Sequence, residues 1–221
     1  MNPLSCLPPD QPANAEERFC SRCGSGLTLR AEGGRNRLAC SRCGHIVFGR
    51  FSVGVGGLLT HEGRVLVVQR GHDPGKGRWT LPGGFAEEDE SPEAAITREV
   101  REETGLEAEP CCILAIRHAQ GDHDQNLYMV FGLRLTGPAA ALKPDGHETT
   151  QALFADPHRL DQLGAFGMIS KWIIHRFSPE DGGLALVPPA DQPVTVPSHR
   201  WTTLFAAHQP HPKTLQGTHH G

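Results

Sequence analysis

The sequence predicts an α/β protein whose mixed sheet carries helices on its faces. Three observations predict it. A strand, a tight turn and a second strand read through residues 51–70, a helix with both ends marked spans 92–104, and strand-like runs lead from there to a second helix near 166–177. Strands before and after a helix bury their apolar faces only in a layered arrangement.

In chain order, residues 1–18 carry four prolines and no apolar periodicity, as a disordered leader does. Residues 19–49 are too short to build a core of their own and hold two cysteine pairs. Residues 51–60 and 64–70 are apolar runs flanking His61-Glu62-Gly63, a hairpin signal. The glycines of the first run weaken a strand unless something packs closely against it. Residues 71–90 contain Pro74, Gly75, Gly77, Pro82, Gly83 and Gly84 ahead of an acidic run and read as loop. Ser91 is placed to cap a helix, Pro92 fits its first position, and Glu93 suits the positive end of the dipole. Gly105 fits the residue after the last turn. Strands are expected at 111–117, 126–135 and 152–154, and the second helix takes its apolar face from Met168, Ile169, Trp172, Ile173 and Ile174. Prolines and histidines dominate 178–221, which is expected to be a largely disordered tail.

The 221 residues are 38% apolar and 21% charged, with a formal net charge of −4. That suits one globular domain with something small attached. No apolar run nears the roughly 18 residues of a membrane span, and no basic segment followed by an apolar stretch marks an export signal. The acidic balance gives no electrostatic reason to bind bulk nucleic acid.

Seven cysteines are present: Cys6 alone, Cys111 and Cys112 as adjacent small strand residues, and four in CxxC pairs. Cys20-x2-Cys23, sixteen residues, then Cys40-x2-Cys43 is the spacing of a structural Zn²⁺ site in a zinc ribbon, here residues 19–49. Gly24 and Gly44 allow the tight turn after each pair. Zinc would supply most of the folding free energy of so short a segment. Without an export signal, thiolate ligands outweigh disulfides and a reducing cytoplasm is the expected setting. Arg30, Arg35, Arg37 and Arg42 leave a nucleic-acid contact open for this segment.

Glu99, Glu102 and Glu103 fall in one sector of the predicted helix, roughly 100° wide. Three carboxylates crowded there repel one another, and a divalent cation removes the repulsion. An all-oxygen set suits Mg²⁺ or Mn²⁺ together with substrate phosphates. In isolation, a solvated acidic face paired with Arg98 and Arg101 would be the better reading. Two features argue otherwise. Ile96 and Val100 draw the same side toward the protein, and Gly83-Gly84 just upstream lets backbone approach a ligand.

Gly84, five residues, Glu90, seven residues, Arg98-Glu99-Val100, one residue, Glu102-Glu103, one residue, Gly105-Leu106 matches every fixed position of the Nudix box. The chain therefore resembles the Nudix hydrolase family over residues 50–177. The resemblance implies an α/β/α sandwich around a mixed sheet, with the box as loop, helix and loop. It implies that Glu99, Glu102 and Glu103, with the Gly83 carbonyl, bind the metals that bridge a diphosphate, and that Arg98 pairs with Glu90 to hold helix against loop. It leaves the general base open between a box glutamate and a later one, for which Glu148 is the candidate. Some relatives carry a second glutamate where this chain has Thr150-Gln151. Metal-assisted attack by water needs no serine or cysteine nucleophile.

A zinc ribbon before such a domain resembles the NADH pyrophosphatases and the plant-type relatives that act on FAD or ADP-ribose. The first group carries Ser-Gln-Pro-Trp after the box, where this chain reads Ile116-Arg117-His118-Ala119-Gln120-Gly121-Asp122. ADP-ribose or an FAD-like dinucleotide is thus the expected substrate, cleaved to a nucleoside monophosphate and a phosphorylated product. The alternatives are NADH cleavage, sanitation of damaged nucleoside triphosphates, and a non-catalytic ligand sensor whose ribbon contacts nucleic acid or protein. The resemblance makes a homodimer one expectation. Trp79 could stack on a substrate base or anchor its loop, and Tyr128 and Phe131 could line a pocket or the core. His118, His123 and the acidic turn Glu87-Glu88-Asp89 read as solvated, and His208, His211, His219 and His220 as weak adventitious metal ligands.

Overall fold

The computed structural model describes residues 18–49, 51–120 and 125–179, and the backbone of 185–186 and 202–206. The expected leader apart from Arg18, Cys6, His123, and most of the expected tail with all its histidines lie outside the described residues. The chain divides into two compact units, one comprising residues up to 51 with 121–125, the other 52–120 and 126 onward.

In the first unit, β1 (Leu27–Glu32) pairs antiparallel with β2 (Arg35–Cys40). Gly33 and Gly34 join them with φ of 59° and 76°, the double left-handed step that matches strand twist in a two-residue hairpin. Each cysteine pair ends in a glycine whose N–H returns to the first cysteine's carbonyl, Gly24 to Cys20 at 2.8 Å and Gly44 to Cys40 at 3.0 Å.

Apart from the terminal residues Phe51 and Gln125, the second unit contains β3 (Phe51–His61), β4 (Arg64–Arg70), β5 (Trp79–Thr80), α1 (Pro92–Thr104), β6 (Ala108–Gln120), β7 (Gln125–Leu135), β8 (Thr149–Ala155), α2 (Met168–Ile174), β9 (Ala185–Leu186) and β10 (Thr202–Ala206). The strands form one sheet in the order β5-β4-β3-β7-β6-β10-β9, with β8 also paired to β4. The β3–β4, β4–β5, β4–β8 and β6–β10 pairings are antiparallel, and a parallel bridge joins Trp79 to Phe166. Successive residues of β4 enter opposite cores. Val65 and Val67 pack with Leu58, Leu114, Val130, Ile173 and Phe177, whereas Leu66 packs with Leu59, Ile96, Val100, Phe131 and Leu133. One core is closed by α2 and the other by α1, so the fold is the expected sandwich.

The hairpin between β3 and β4 pairs only at Thr60 with Val65 and His61 with Arg64. Beyond that point the edge of β3 is taken by the loop at 82–86. Gly57 N–H donates to Pro82 O at 2.9 Å, Val55 N–H to Gly84 O at 2.8 Å, and Ala86 N–H to Val53 O at 2.8 Å. This satisfies the β3 backbone and lays the glycine loop beside the sheet.

Several elements differ from the sequence expectation, among them the short β5 within the expected loop 71–90 and β9 within the expected tail. The strand expected at 111–117 runs from Ala108 to Gln120, because pairing in the sheet extends it through residues with no local strand signal. The second helix is confined to Met168–Ile174: Phe166 is held by its bridge to Trp79, and Gly167 N–H donates to Trp79 O at 2.7 Å. Within the stretch expected to be largely disordered, Thr202–Ala206 adds to β6 with Leu204 opposite Arg117. Thr-Thr-Leu-Phe-Ala is a strand-forming run, but its partner lies some 85 positions earlier, beyond the reach of local patterning.

Candidate active site

Ser91 caps α1 by accepting from Ala94 N–H at 3.2 Å, and Gly105 ends it at φ 69°. Ala95, Ile96 and Val100 are buried beneath the helix. Each large side chain among them contributes about 1.5–3 kcal/mol and fixes which way the helix faces. That orientation buries Glu99 and Glu103 as well, at 7% and 8% exposure, and leaves Glu102 exposed.

Glu103 is locked on both oxygens: Oε2 accepts from Gly83 N–H at 2.8 Å and Oε1 from the Thr149 hydroxyl at 3.3 Å. Burial pushes its carboxyl up to about 8, and the charges of Glu99 and Glu148 add to the rise. Burial, with repulsion from Glu102 and Glu148, also holds Glu99 above the ordinary range although Arg98 opposes it. The two glycines are sterically required. A side chain on Gly84 would begin 2.3 Å from Glu99 Oε1, and one on Gly83, at φ 149°, would begin 2.1 Å from Val55 O.

Arg98 grips Glu90 with Nε at 3.1 Å and Nη2 at 2.6 Å, and Nη2 also reaches Phe85 O at 3.1 Å. The hydrogen bond from Arg98 keeps Glu90 below its usual carboxylate range. Arg98 Nη1 further donates to Glu99 Oε1 and Glu102 Oε2, each at 2.9 Å. The helix and loop are thereby one rigid piece, and two of the three helix carboxylates rest on a cation.

The sequence profile of the NUDIX domain matches residues 50–177, and the profile of the Nudix N-terminal zinc ribbon matches 18–48. The chain belongs to the Nudix family. It is 34% identical over 115 residues to an ADP-ribose pyrophosphatase of Methanocaldococcus jannaschii, covering 51% of this chain and 66% of that protein. It is 27% identical over 163 residues to an NAD-capped RNA hydrolase, NudC, of Stutzerimonas stutzeri, covering 74% of this chain and 56% of that protein. The chain thus spans between half and two thirds of the length of these relatives. A solved NUDIX hydrolase from Nitrosomonas europaea superposes with a TM-score of 0.51 at 31% identity, covering 63% of this chain and 78% of that one.

Around the Nudix helix the structure gathers further groups. Asp145 turns the preceding loop by accepting from His147 N–H at 3.0 Å, Glu148 N–H at 3.2 Å and Thr149 N–H at 2.8 Å. Glu148 is exposed at this turn, and its charge raises the carboxyls of Glu99 and Glu103. Thr150 and Gln151, by contrast, bond Gln69 on β4 and serve the sheet. Tyr128 packs against Gly54 and Gly56, where any side chain would collide with it. Burial pushes its hydroxyl up to about 12, with Glu103 repelling its anion and Arg117 and Arg70 favouring it.

Arg117 and Asp145 carry roles that sequence reading did not single out. Burial alone lowers the Arg117 guanidinium, and its Nε meets no hydrogen-bond partner among the described residues. The available signals were an arginine closing the run Cys111–Ile116 and the turn-forming Pro144-Asp145-Gly146. Trp79 is corrected: at 3% exposure it anchors the core with Leu81, Leu160 and Phe166, and it has no free face for a base. Glu87, Glu88 and Asp89 are exposed, as a solvated turn requires.

In the Nudix zinc ribbon, the Cys20, Cys23, Cys40 and Cys43 sulfurs all lie within 4.8 Å of one another. Cys20 to Cys43 and Cys23 to Cys40 are each 3.5 Å apart, close to the ~3.8 Å edge of a tetrahedron with ~2.3 Å zinc–sulfur bonds. Hydrogen bonds from the backbone and side chain of Ser25 lower the Cys23 thiol to about 6. Among the described residues no carboxylate trio converges as closely.

Proposed function

We propose that this chain is a Mg²⁺- or Mn²⁺-dependent hydrolase that splits the phosphoanhydride of a nucleoside diphosphate linked to another group, with ADP-ribose or an FAD-like dinucleotide favoured. The observation that carries this reading is the group of carboxylates held beside the glycine loop. Glu99, Glu103 and Glu148 act electrostatically on one another, Glu103 is bonded to Gly83, and Tyr128 is repelled as an anion by Glu103 and favoured by the cations Arg117 and Arg70. Glu99, Glu102, Glu103 and the Gly83 carbonyl would hold the ion, since their oxygens form a hard donor set and the raised carboxyls need a compensating positive charge. A bound divalent ion there would lower the pKa of a water and offset charge on the phosphates.

The remaining work falls to side chains. Glu148, presented by the Asp145 turn, is the proposed base for the attacking water. Arg117 and Arg70 would hold the phosphate remote from the carboxylates, and Tyr128 would separate the two charge fields. Arg98 keeps the helix seated on its loop and does not touch substrate. The relative named ADP-ribose pyrophosphatase supports the favoured substrate. Cleavage of an NAD-type dinucleotide is the second reading, because the match to the NudC relative spans 163 residues, more than residues 50–177 can supply. The described cysteines are free thiols, which fits structural zinc in a reducing cytoplasm.

Glu102→Gln keeps the shape of an exposed ligand and removes its charge. The expected result is a kcat at least about a hundredfold lower in saturating Mg²⁺, against near-normal turnover for the exposed neighbour control Glu107→Gln. Wild-type turnover in Glu102→Gln would remove it from the ligand set.

A further inference from the structure

Charge is distributed unevenly along the chain. Residues 18–49 contain six arginines and a single acid, Glu32, a formal +5 that leaves −9 to the rest of a chain whose total is −4. Four thiolates around one Zn²⁺ contribute −2 relative to that sum, so the zinc-loaded ribbon still stands at +3. Both knuckles read Cys-Ser-Arg-Cys-Gly, at 20–24 and at 40–44. Their exposed Arg22 and Arg42 sit beside the thiolates and can offset the zinc centre. The hairpin arginines are placed differently.

Arg30 and Arg37 stand directly opposite one another in the β1–β2 register, on the face that also carries Glu32 and Arg35. Like charges at that position destabilise a pair of strands, and an isolated two-stranded hairpin has little stability to spare. Glu32 relieves Arg30 at 3.2 Å. Arg37 instead lies 5.0 Å above the ring of Phe48, a residue that remains 63% exposed. Opposed arginines beside an exposed aromatic face match a polyanion that also offers flat rings. Arginines take backbone phosphates, and the aromatic takes an unpaired base. A duplex hides its base faces, and an acidic peptide has charge but no ring to stack.

We infer that the Arg30–Arg37–Phe48 face of the ribbon binds single-stranded nucleic acid. This inference is independent of which nucleotide the catalytic unit cleaves. The test uses the full-length, zinc-loaded protein without Mg²⁺ and fluorescence anisotropy. The probes are labelled mixed-sequence single-stranded RNA and DNA 15-mers, the matching DNA duplex, and a polyglutamate of equal charge.

Either single strand should bind at 50 mM salt. With about three phosphate contacts, affinity should fall about eighteenfold by 200 mM. Arg30→Glu with Arg37→Glu should weaken binding at least tenfold while the zinc content stays at that of wild type. Phe48→Ala should weaken it about tenfold with the salt dependence unchanged. Should the charge reversal lose zinc, Arg30→Gln with Arg37→Gln serves in its place. The inference is overturned if the zinc-loaded double variant binds as tightly as wild type, if duplex or polyglutamate binds as tightly as a single strand, or if nothing binds at 50 mM salt.

Discussion

Gly83 N–H donates to Glu103 Oε2 at 2.8 Å, tying the loop before α1 to the last turn of that helix. The bond needs the loop backbone pressed against β3, and the two glycines there do different work. A side chain on Gly83 would meet the Val55 backbone, which cannot move without breaking the sheet edge. A side chain on Gly84 would meet the Glu99 carboxylate, the end of a side chain that can swing away from Arg98. Gly83→Ala should therefore cost about 2 kcal/mol or more of stability. Gly84→Ala should lose most activity with a Tm near that of wild type. Calorimetry alongside turnover checks this, and an active Gly84→Ala enzyme would show that Glu99 need not stay in place.

The raised carboxyl of Glu103 sets a pH dependence whose sign is fixed. Its value of about 8 in the folded protein lies above the ~4.3 of an unfolded chain. Between those limits the unfolded state releases the proton and the folded state keeps it, so stability is full below about pH 4.5 and falls as pH rises toward 8. Melting curves in EDTA from pH 5 to 8.5 should show that decline, Glu103→Gln should flatten much of it, and Mg²⁺ should offset it in the wild type. Parallel profiles for wild type and variant would contradict the assignment.

Arg117 is a half-buried cation whose buried Nε has no hydrogen-bond partner among the described residues, which costs stability in the free protein. Arg117→Met keeps much of the volume and removes the charge. It should raise Tm by a few degrees while lowering kcat/KM about tenfold to a hundredfold, mainly through KM. A variant with lower Tm and unchanged KM would make Arg117 a structural residue.

What the sequence revealed of this molecule was local. Ser91, Pro92 and Gly105 mark α1 because capping acts within one turn, and the four cysteines declare themselves by spacing because each knuckle closes on its own backbone. What it concealed was non-local. Trp79 resembles a loop aromatic until Ala165 and Phe166 cover it, and β10 becomes a strand only against β6. Arg117 acquires meaning only when β6 and β7 bring it within electrostatic reach of Tyr128.

The ribbon sulfurs are spaced for a tetrahedral ion, so the purified protein should carry about one zinc per chain and Cys23→Ser should lose it. Elemental analysis of protein prepared without added zinc checks this. A zinc-free, folded preparation with cysteine disulfides would refute the assignment.

The central claim is tested most directly by comparing kcat/KM with Mg²⁺ for ADP-ribose, FAD, NADH, diadenosine polyphosphates and nucleoside triphosphates under equal conditions. The proposed function predicts that ADP-ribose or FAD ranks first, and that ADP-ribose yields AMP and ribose 5-phosphate without inorganic phosphate. Fastest release of pyrophosphate from a nucleoside triphosphate would contradict the account and make triphosphate sanitation the function of this site.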